Sequence, residues 1–293
     1  MPFALLKYAF NKRYPARPDF PPTPALKPSY DVVIIGGGGH GLSIAYHLAR
    51  YWGIAKVCVL EKGYLGGGNT ARNTTVIRSN YITPDSVRFY KESVDLFKNL
   101  SNELDYNVLY SQRGQLTLAH SDATIRTFRM RAEVGKLCGT GIELVDRKQI
   151  QDIVPCLHMP EHARYPVLAG LWHPDGGLCR HDAVAWGYAA RSAELGVELH
   201  QRTEVTGLEV ENGRIAAVNT SRGRVVGGHV IQAVAGMSSV VANMTGIRLP
   251  IRTYPLQAMV TQPLKPFLDP LVSSAGLHAY VSQTARGELV IGG

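Results

Sequence analysis

A run of consecutive glycines between two apolar segments constrains the fold of this chain more than any other feature. Residues 31–35 are a short β-branched apolar run, typical of a strand buried on both faces of a parallel sheet. Residues 40–51 carry apolar side chains at helical spacing, and residues 56–60 form a second apolar strand. A strand, a glycine turn, a helix and a strand within about 30 residues predict one βαβ unit.

The glycine run fits the pattern GxGxxG, with Gly36, Gly38 and Gly41 at the key positions. Gly36 permits the tight turn, Gly38 lets a pyrophosphate approach the backbone, and Gly41 lets the helix pack against the strand. Phosphate charge would then lie at the positive N-terminus of the helix. Glu61 ends the second strand, where a carboxylate can accept hydrogen bonds from ribose hydroxyls. The sequence therefore predicts a dinucleotide site.

Other interpretations of the glycine run differ in what they require. A protein kinase uses the same spacing but also needs VAIK, HRD and DFG motifs, and the sequence contains none of them. An empty glycine turn that binds nothing stays open as an alternative. FAD and NAD both bind a unit of this kind, so the motif alone does not decide between them.

Composition excludes several classes of protein. The chain has 293 residues, of which 45% are hydrophobic, so it can bury a sizeable core. Its net charge of +8 is spread along the chain and not gathered into runs, so we expect no nucleic-acid partner. We also expect no membrane span, because no apolar run approaches the roughly 18 residues required. The cysteines lack metal-ligand spacing, which predicts free thiols, no metal and a cytoplasmic protein. They are Cys58, Cys138, Cys156 and Cys179.

Residues 1–29 are predicted to form an extended N-terminal arm. The segment is rich in proline and basic residues, and Asp19 is its only acid. An organelle transit peptide is an open alternative, although prolines such as Pro15 and Pro18 disrupt the amphipathic helix of such peptides. We favour an arm that docks against another subunit or against the protein's own surface.

Helical patterns recur after the βαβ unit. Residues 85–104 and 123–137 show the apolar spacing of helices. Asp182 can cap a helix over residues 183–195, and Gly196 is placed to end it.

Strand patterns occur between and after these helices. Residues 114–118 alternate as a strand would, and residues 229–232 form another apolar strand. Residues 198–220 are predicted to form a strand pair around Asn212-Gly213, which favours a type I′ hairpin turn.

Several blocks of sequence resemble the beta subunits of heterotetrameric sarcosine oxidases. The longest block reads ARNTTVIRSNY and the next reads RHDAVAW; both are specific, whereas the glycine motif alone would not be. The resemblance covers the chain from about Tyr30 to its end. The blocks comprise residues 36–41, 71–81, 111–114, 180–186, 204–207 and 256–258.

The resemblance implies an α/β fold with two domains. An FAD-binding Rossmann-type domain, discontinuous and glutathione-reductase-like, would comprise residues 30–110 and 160–245. A second, mixed-sheet substrate domain would comprise residues 111–159 and 246–293. The chain stops within an expected strand while the family continues, so we expect this domain to be incomplete at its C-terminus.

The resemblance also implies an activity, its cofactors and its partners. Such enzymes oxidise sarcosine at a non-covalently bound FAD, leaving an imine that hydrolyses to glycine and formaldehyde. Electrons pass through a covalent FMN to oxygen, which yields hydrogen peroxide. The beta subunit assembles with alpha, gamma and delta subunits, and NAD and tetrahydrofolate are expected only in the alpha subunit. The protein supplies placement and electrostatics for the cofactors.

The resemblance assigns an FAD role to residues in four short segments. Val205 is expected to act through its backbone. The residues are Gly36, Gly38, Gly39, His40, Gly41, Glu61, Lys62, Asn69, Arg72, Thr74, Val76 and Val205.

Arg78 matches the arginine that meets the substrate carboxylate in related oxidases. A guanidinium can hold a carboxylate through two parallel hydrogen bonds. An ordinary structural ion pair is the alternative role for this residue.

His181 matches the histidine that carries FMN covalently in the family. A neutral imidazole nitrogen is nucleophilic, so it can add to an activated flavin methyl group. Arg180 is expected to pair with the FMN phosphate. A helix cap or a buried structural histidine is the alternative for His181, and His173, outside the matched blocks, is interpreted as a loop residue.

Three other functions stay open. The chain could be a single-flavin FAD-dependent amine or amino-acid oxidase or dehydrogenase without FMN. It could also be an inactive flavin-binding fragment, or a remnant of a nucleotide-binding fold that binds nothing.

Overall fold

The computed structural model describes residues 23–293, which divide into two compact units. The first unit comprises residues up to Leu65 and Tyr188–Leu249, and the second comprises Gly66–Gly187 and Pro250–Gly293. These boundaries differ from those predicted for the FAD-binding and substrate domains. The assignment of FAD and substrate to those domains stays a prediction. Residues 1–22 of the predicted arm lie outside the described residues, and its last residue, Ser29, belongs to the first strand.

The first unit is built on a six-stranded sheet in the order β10-β11-β12-β1-β2-β9. These strands are β1 (Ser29–Ile35), β2 (Val57–Leu60), β9 (Glu198–His200), β10 (Val205–Glu211), β11 (Arg214–Thr220) and β12 (Gly223–Gln232). The unit also contains α1 (Gly39–Trp52) and α6 (Ser238–Asn243).

Parallel pairing of β1 produces the centre of this sheet. β1 pairs with β2 on one side and with β12 on the other, both in parallel, and β2 pairs in parallel with β9. Val33 and Ile34 are fully buried, as expected for a strand covered on both faces. The predicted strands at residues 31–35 and 56–60 are therefore confirmed with small shifts of their ends, and the strand predicted at 229–232 is the second half of a longer strand that begins at Gly223.

The helix after the glycine turn begins and ends where the glycines lie. α1 begins after Gly38 and ends at Gly53, which adopts a left-handed conformation with φ of 65° and donates its N–H to the Leu48 carbonyl. A glycine adopts this conformation without the steric cost that a side chain would add. The predicted βαβ unit is confirmed.

The predicted hairpin is confirmed in part. β10 and β11 pair antiparallel around Asn212 and Gly213, whose φ angles of 50° and 73° are both positive, as a type I′ turn requires. The N-terminal end of the predicted pair was placed wrongly. Glu198–His200 forms a separate strand that pairs with β2, because burial of Leu199 and His200 against the parallel sheet outweighs continuation into the hairpin.

A polar cluster in the first unit ties the segment before β1 to β9. The Tyr30 hydroxyl donates to the Glu198 carboxylate at 2.5 Å and accepts the Lys27 N–H at 3.0 Å. Lys27 Nζ forms an ion pair with the same carboxylate, and His200 Nε2 lies 3.2 Å from it. Burial is the main cause that raises the pKa of Tyr30, and the hydrogen bond to Glu198 raises it further. The hydroxyl therefore stays protonated and acts as the donor.

We predict that Tyr30→Phe lowers the free energy of unfolding by about 2 kcal/mol, because it removes a hydrogen bond to a largely buried carboxylate. Urea unfolding at pH 7 measures the change. Tyr64→Phe is the matched control, since the Tyr64 side chain is 60% exposed and should change stability by less than about 0.5 kcal/mol. Equal effects of the two changes would contradict a stabilising role of this cluster.

The second unit contains a seven-stranded sheet in the order β13-β16-β15-β14-β5-β7-β6 and a three-stranded sheet in the order β3-β8-β4. The larger sheet consists of β5 (Gln115–Ala119), β6 (Glu143–Val145), β7 (Ala169–His173), β13 (Ala258–Val260), β14 (Leu271–Ser274), β15 (Ala279–Gln283) and β16 (Leu289–Gly292). The smaller sheet consists of β3 (Val76–Ile77), β4 (Ser111–Gln112) and β8 (Gly177–Leu178). The helices are α2 (Pro84–Glu103), α3 (Asp122–Leu137), α4 (Arg147–Ile153) and the first residues of α5 (His181–Glu194).

The larger sheet is mixed, as predicted. β14 pairs with β5 in parallel, whereas the other strand pairs in this sheet are antiparallel. Leu116 and Ile150 are fully buried and belong to one apolar cluster, while Phe128 and Leu171 belong to another. The predicted α/β fold with a mixed second sheet is confirmed.

The start of α5 differs from its prediction. The helix begins at His181, so Asp182 lies in its first turn rather than at the capping position. Asp182 instead pairs with Arg180, and its Oδ1 accepts the N–H of Ala183 at 2.9 Å. A carboxylate in the first turn is still favourable, because it faces the positive end of the helix.

Candidate functional site

The glycine turn in the first unit brings backbone atoms closer than any side chain would allow. A Cβ atom on Gly41 would lie 1.9 Å from the Gly36 carbonyl oxygen, so α1 packs directly on the turn. A Cβ atom on Gly36, whose φ is 108°, would lie 2.4 Å from the Ala233 oxygen. Both positions therefore require glycine for the reasons that the sequence predicts.

Glu61 holds the turn from the end of β2. Its Oε2 accepts the N–H of Gly37 and its Oε1 accepts the N–H of Gly63, each at 2.8 Å. A carboxylate has about four acceptor positions, so this arrangement leaves capacity for ribose hydroxyls. Glu61 thus fixes the conformation of the turn, which the sequence did not indicate.

The N-terminus of α1 has the electrostatic character of an anion site. Its first turn contains no acidic residue, and no side chain caps it by a hydrogen bond. His40 is exposed in this first turn. The backbone N–H groups and helix dipole at such an end favour a phosphate group.

The other predicted residues of the first unit lie near Glu61 along the chain or across the sheet. Lys62 follows it and is exposed. Val205 begins β10, two residues after Thr203, whose N–H donates to the Glu61 carbonyl at 2.8 Å. This unit therefore brings the glycine turn, Glu61 and the start of β10 to one end of β1 and β2.

A second glycine-rich segment, residues 66–76 in the second unit, is closed by its own polar contacts. Arg72 Nη1 donates to the carbonyl oxygens of Gly67 and Gly68. Asn69 begins a short 3-10 helix that ends at Arg72, and Thr75 has a positive φ of 65°. A β-branched residue in this conformation is strained, so the surrounding contacts determine the shape of the segment. Thr74 and Val76, the remaining predicted FAD residues here, are half-buried.

Arg78 lies just after β3 with its guanidinium partly engaged. Nη1 donates to Asn80 Oδ1 at 2.8 Å, and the guanidinium carbon lies 4.5 Å from the centre of the Tyr81 ring. Tyr81 in turn stacks on Tyr90 at 3.9 Å between ring centres. Because a guanidinium has five N–H donors, this arrangement fixes its plane and leaves donors for a carboxylate.

The structure places His173 differently from the sequence prediction. It is the last residue of β7 and is fully buried, so its interpretation as a loop residue is wrong. Its Nε2 accepts the N–H of Ser79, the residue after Arg78, at 3.1 Å. Alternation with the buried Leu171, two residues earlier on the strand, is the sequence signal that could have indicated burial.

His181 is half-buried at the start of α5, between two residues that pair with each other. Burial lowers the pKa of its imidazole, so the ring is neutral at pH 7. Its Nδ1 is buried and has no hydrogen-bond partner among residues 23–293. The Arg180 guanidinium donates to both carboxylate oxygens of Asp182, so its positive charge is already paired.

Within residues 23–293, no group of three His, Cys, Asp or Glu side chains is placed to hold a metal ion. None of the helices there is long and apolar enough to cross a membrane. The four cysteines are unpaired.

The glycine turn, the acid at the end of β2 and the anion-binding helix end have the geometry of a dinucleotide fold. A family model described as FAD dependent oxidoreductase matches residues 31–293 of the chain. The chain belongs to the FAD-dependent oxidoreductase family. The predicted choice of FAD over NAD agrees with this family.

Known members of the family are similar over most of this chain. The sarcosine oxidase subunit beta of Rhodobacter capsulatus is 46% identical over 92% of the chain and 65% of its own length. The corresponding subunit of an Arthrobacter species is 45% identical over 95% of the chain and 69% of its own length. The chain thus spans about two thirds of the length of these relatives. The crystal structure of L-proline dehydrogenase from P. horikoshii matches with a TM-score of 0.81 and 32% identity, covering 91% of this chain and 70% of that one.

We predict that Gly41→Ala lowers the free energy of unfolding of this family member by about 3 kcal/mol, because the new methyl group meets the Gly36 oxygen. Urea unfolding measures the loss. Gly207→Ala in β10 is the matched control, since its Cβ would make only ordinary contacts of 3.8 Å or more. A Gly41 variant as stable as the control would show that the turn can relax.

We also predict that His173 makes stability depend on pH. Burial lowers the pKa of His173 to about 4, whereas an unfolded histidine has a pKa near 6.5. Between these values the unfolded chain binds more protons, so stability falls as pH decreases from about 6.5 to about 4. Asp175 opposes the downward shift, while Arg78 and Lys98 add to it.

The test compares urea unfolding of the wild type and His173→Gln at pH 7 and at pH 4.5. Because glutamine does not titrate, the variant should lose less stability over this interval, by about 2 kcal/mol. Carboxylates titrate in both proteins and cancel in the difference. Parallel pH curves would contradict a lowered pKa of His173.

Proposed function

We propose that this chain is the FAD-binding part of a sarcosine oxidase beta subunit, and that it oxidises the secondary amine of sarcosine. The observation that carries this proposal is the similarity to sarcosine oxidase beta subunits, which extends through nearly the whole chain at close to half of its positions. The glycine turn supports the same function, because it offers a backbone cradle with no side chain to obstruct a pyrophosphate.

FAD, when bound, accepts the electrons and hydrogen that leave the C–H bond next to the amine nitrogen. The residues of this chain hold it in the proposal. The N-terminus of α1, including Gly38, Gly39 and His40, receives the pyrophosphate, and Glu61 receives the ribose. The remaining contacts are assigned to Asn69, Arg72, Thr74 and Val76 and to the backbone of Val205.

Arg78 binds the carboxylate of the substrate in this proposal. Its guanidinium is held by Asn80 and by the Tyr81 ring, so a substrate carboxylate is offered preoriented donors. A structural ion pair is the alternative role. The partners found for Arg78 are an amide and an aromatic ring rather than a carboxylate, which favours the substrate role.

His181 carries FMN covalently in this proposal. Two features of the chain suit it: the imidazole is kept neutral by burial, and its buried Nδ1 lacks a partner among the described residues. A neutral imidazole is the nucleophilic form. The pairing of Arg180 with Asp182 means that binding of the FMN phosphate by Arg180 would require this ion pair to be shared or opened.

The proposal includes the assembly expected of a beta subunit. The partners are alpha, gamma and delta subunits, with NAD and tetrahydrofolate bound by the alpha subunit. The unpaired cysteines suit a reducing compartment, so we place the assembly in the cytoplasm.

A single-flavin dehydrogenase or oxidase is the second candidate. The observation that favours it is the similarity in sequence and fold to the L-proline dehydrogenase of P. horikoshii. The two candidates share FAD and differ in whether His181 binds a flavin.

Acid precipitation of the protein expressed with its partner subunits separates the candidates. We predict that flavin absorbance stays with the precipitate of the wild type and that His181→Ala abolishes this covalent flavin while extractable FAD remains. His162→Ala is the matched control, because His162 is an exposed histidine of the same unit. Hydrogen peroxide formed on addition of sarcosine measures the activity.

Each outcome of this experiment has a distinct meaning. Covalent flavin that disappears only in His181→Ala supports the two-flavin sarcosine oxidase. Extractable FAD with amine oxidation but no covalent flavin favours the single-flavin candidate. Protein without any flavin would overturn both.

A further inference from the structure

The buried imidazole of His173 connects β7 to the backbone beside Arg78. His173 Nε2 accepts the Ser79 N–H at 3.1 Å and lies 3.3 Å from Ser79 Oγ. The residues on both sides of this bond are buried, since Ser79 is 1% exposed and His173 is 0% exposed. A buried backbone N–H without an acceptor is unfavourable, so this hydrogen bond fixes the position of residue 79.

The position of residue 79 also sets the position of the adjoining Arg78 backbone, from which the Arg78 side chain extends. Arg78 is held at its tip by Asn80, which is 2% exposed, and by the face of the Tyr81 ring. Its main chain is held through the next residue by His173. The Arg78 side chain is therefore held at its tip and beside its main chain, and the second contact comes from His173 on β7.

We propose that His173 is a positioning residue that orients Arg78 toward the carboxylate of the amine substrate. This inference rests on the proposed function, in which Arg78 binds that carboxylate. His173 acts through the Ser79 N–H and does not itself touch the substrate.

The chemistry of the imidazole suits this role better than an apolar side chain would. Burial keeps His173 neutral, so its Nε2 lone pair remains available as an acceptor at neutral pH. A neutral ring also avoids placing another positive charge beside Arg78. Its Nδ1 is buried without a partner among residues 23–293, which is a cost that a leucine of similar size would not incur. A contribution of the Ser79 hydrogen bond to substrate binding would offset this cost.

Three substitutions of His173 in the full flavin-loaded complex test the proposal. Gln places an acceptor oxygen near the position of Nε2, Asn places it near the position of Nδ1, and Leu removes it. The dissociation constant of acetate, a simple carboxylate probe, is measured from the change in flavin absorbance. The kcat and KM for sarcosine are measured by peroxide formation.

We expect His173→Leu and His173→Asn to raise the acetate dissociation constant and the KM for sarcosine about tenfold, with kcat changed less than about twofold. His173→Gln should remain within about threefold of the wild type. His120→Leu is the matched control, because His120 is another histidine of the second unit and its partners are Ser274 and the carbonyls of Tyr165 and Pro166.

The inference is overturned if flavin-loaded His173→Asn or His173→Leu binds acetate as tightly as the wild type. It is also overturned if Gln and Asn weaken binding equally, because a merely structural histidine predicts that result. Should the Leu variant fail to fold, the comparison of Gln with Asn still decides.

Arg78→Gln separates this inference from the proposed function. Loss of acetate binding in this variant supports the carboxylate role of Arg78, on which the inference depends. Unchanged acetate binding would overturn that role and the inference with it. A wild-type complex that binds acetate through Arg78 but does not oxidise sarcosine would overturn the proposed substrate alone, and the His173 comparison by acetate binding would stand.

Discussion

The close approach of Gly41 to the Gly36 carbonyl is the constraint on which the first unit depends. A distance of 1.9 Å from a hypothetical Cβ to that oxygen means that the start of α1 can lie on the end of β1 only when residue 41 has no side chain. This packing places the N-terminus of α1 after the end of β1, and Glu61 directly follows the end of β2. The positive end of the helix dipole favours a phosphate group, and the negative Glu61 carboxylate favours hydroxyl groups of the same ligand. A dinucleotide contains both.

Features set by local chemistry could be predicted from the sequence. The β-branched run of β1, the helical period of α1 and the Asn212-Gly213 turn each depend on neighbouring residues, and the structure confirms all three. Features set by distant partners could not. Glu198–His200 follows a helix and reads as the start of a hairpin, but its pairing with β2 is determined by residues more than a hundred positions earlier. Not every local prediction succeeded: Asp182 was expected to cap a helix starting at residue 183, but it pairs with the neighbouring Arg180 and the helix begins at His181.

The residues of the candidate site also divide into those that the sequence could predict and those that it could not. The glycine positions and Glu61 follow from a motif whose spacing has a physical reason, so residue types and positions were predicted together. His173 has no motif of its own, because its role depends on a backbone N–H ninety-four residues away in the chain. Burial of a polar residue at an alternating strand position was the accessible signal. The covalent flavin and the carboxylate partner of Arg78 rest on resemblance, since no pattern of charge or period specifies them.

Neutral imidazoles beside arginines are a recurring arrangement in the second unit. Burial lowers the pKa values of both His173 and His181, and in each case an arginine, Arg78 or Arg180, adds to the downward shift. The arginine favours the neutral form of the ring, and the neutral ring in turn favours the arginine. A neutral ring does not repel the guanidinium and does not compete with it for an anion. An unprotonated nitrogen is an acceptor at His173 and a potential nucleophile at His181, and neither role is available to a protonated ring. Each arginine is therefore a positive charge beside a neutral ring that keeps its lone pair, and the charge of Arg180 is paired with Asp182. In the proposed function, the lone pair would accept a hydrogen bond at His173 and would attach the flavin at His181.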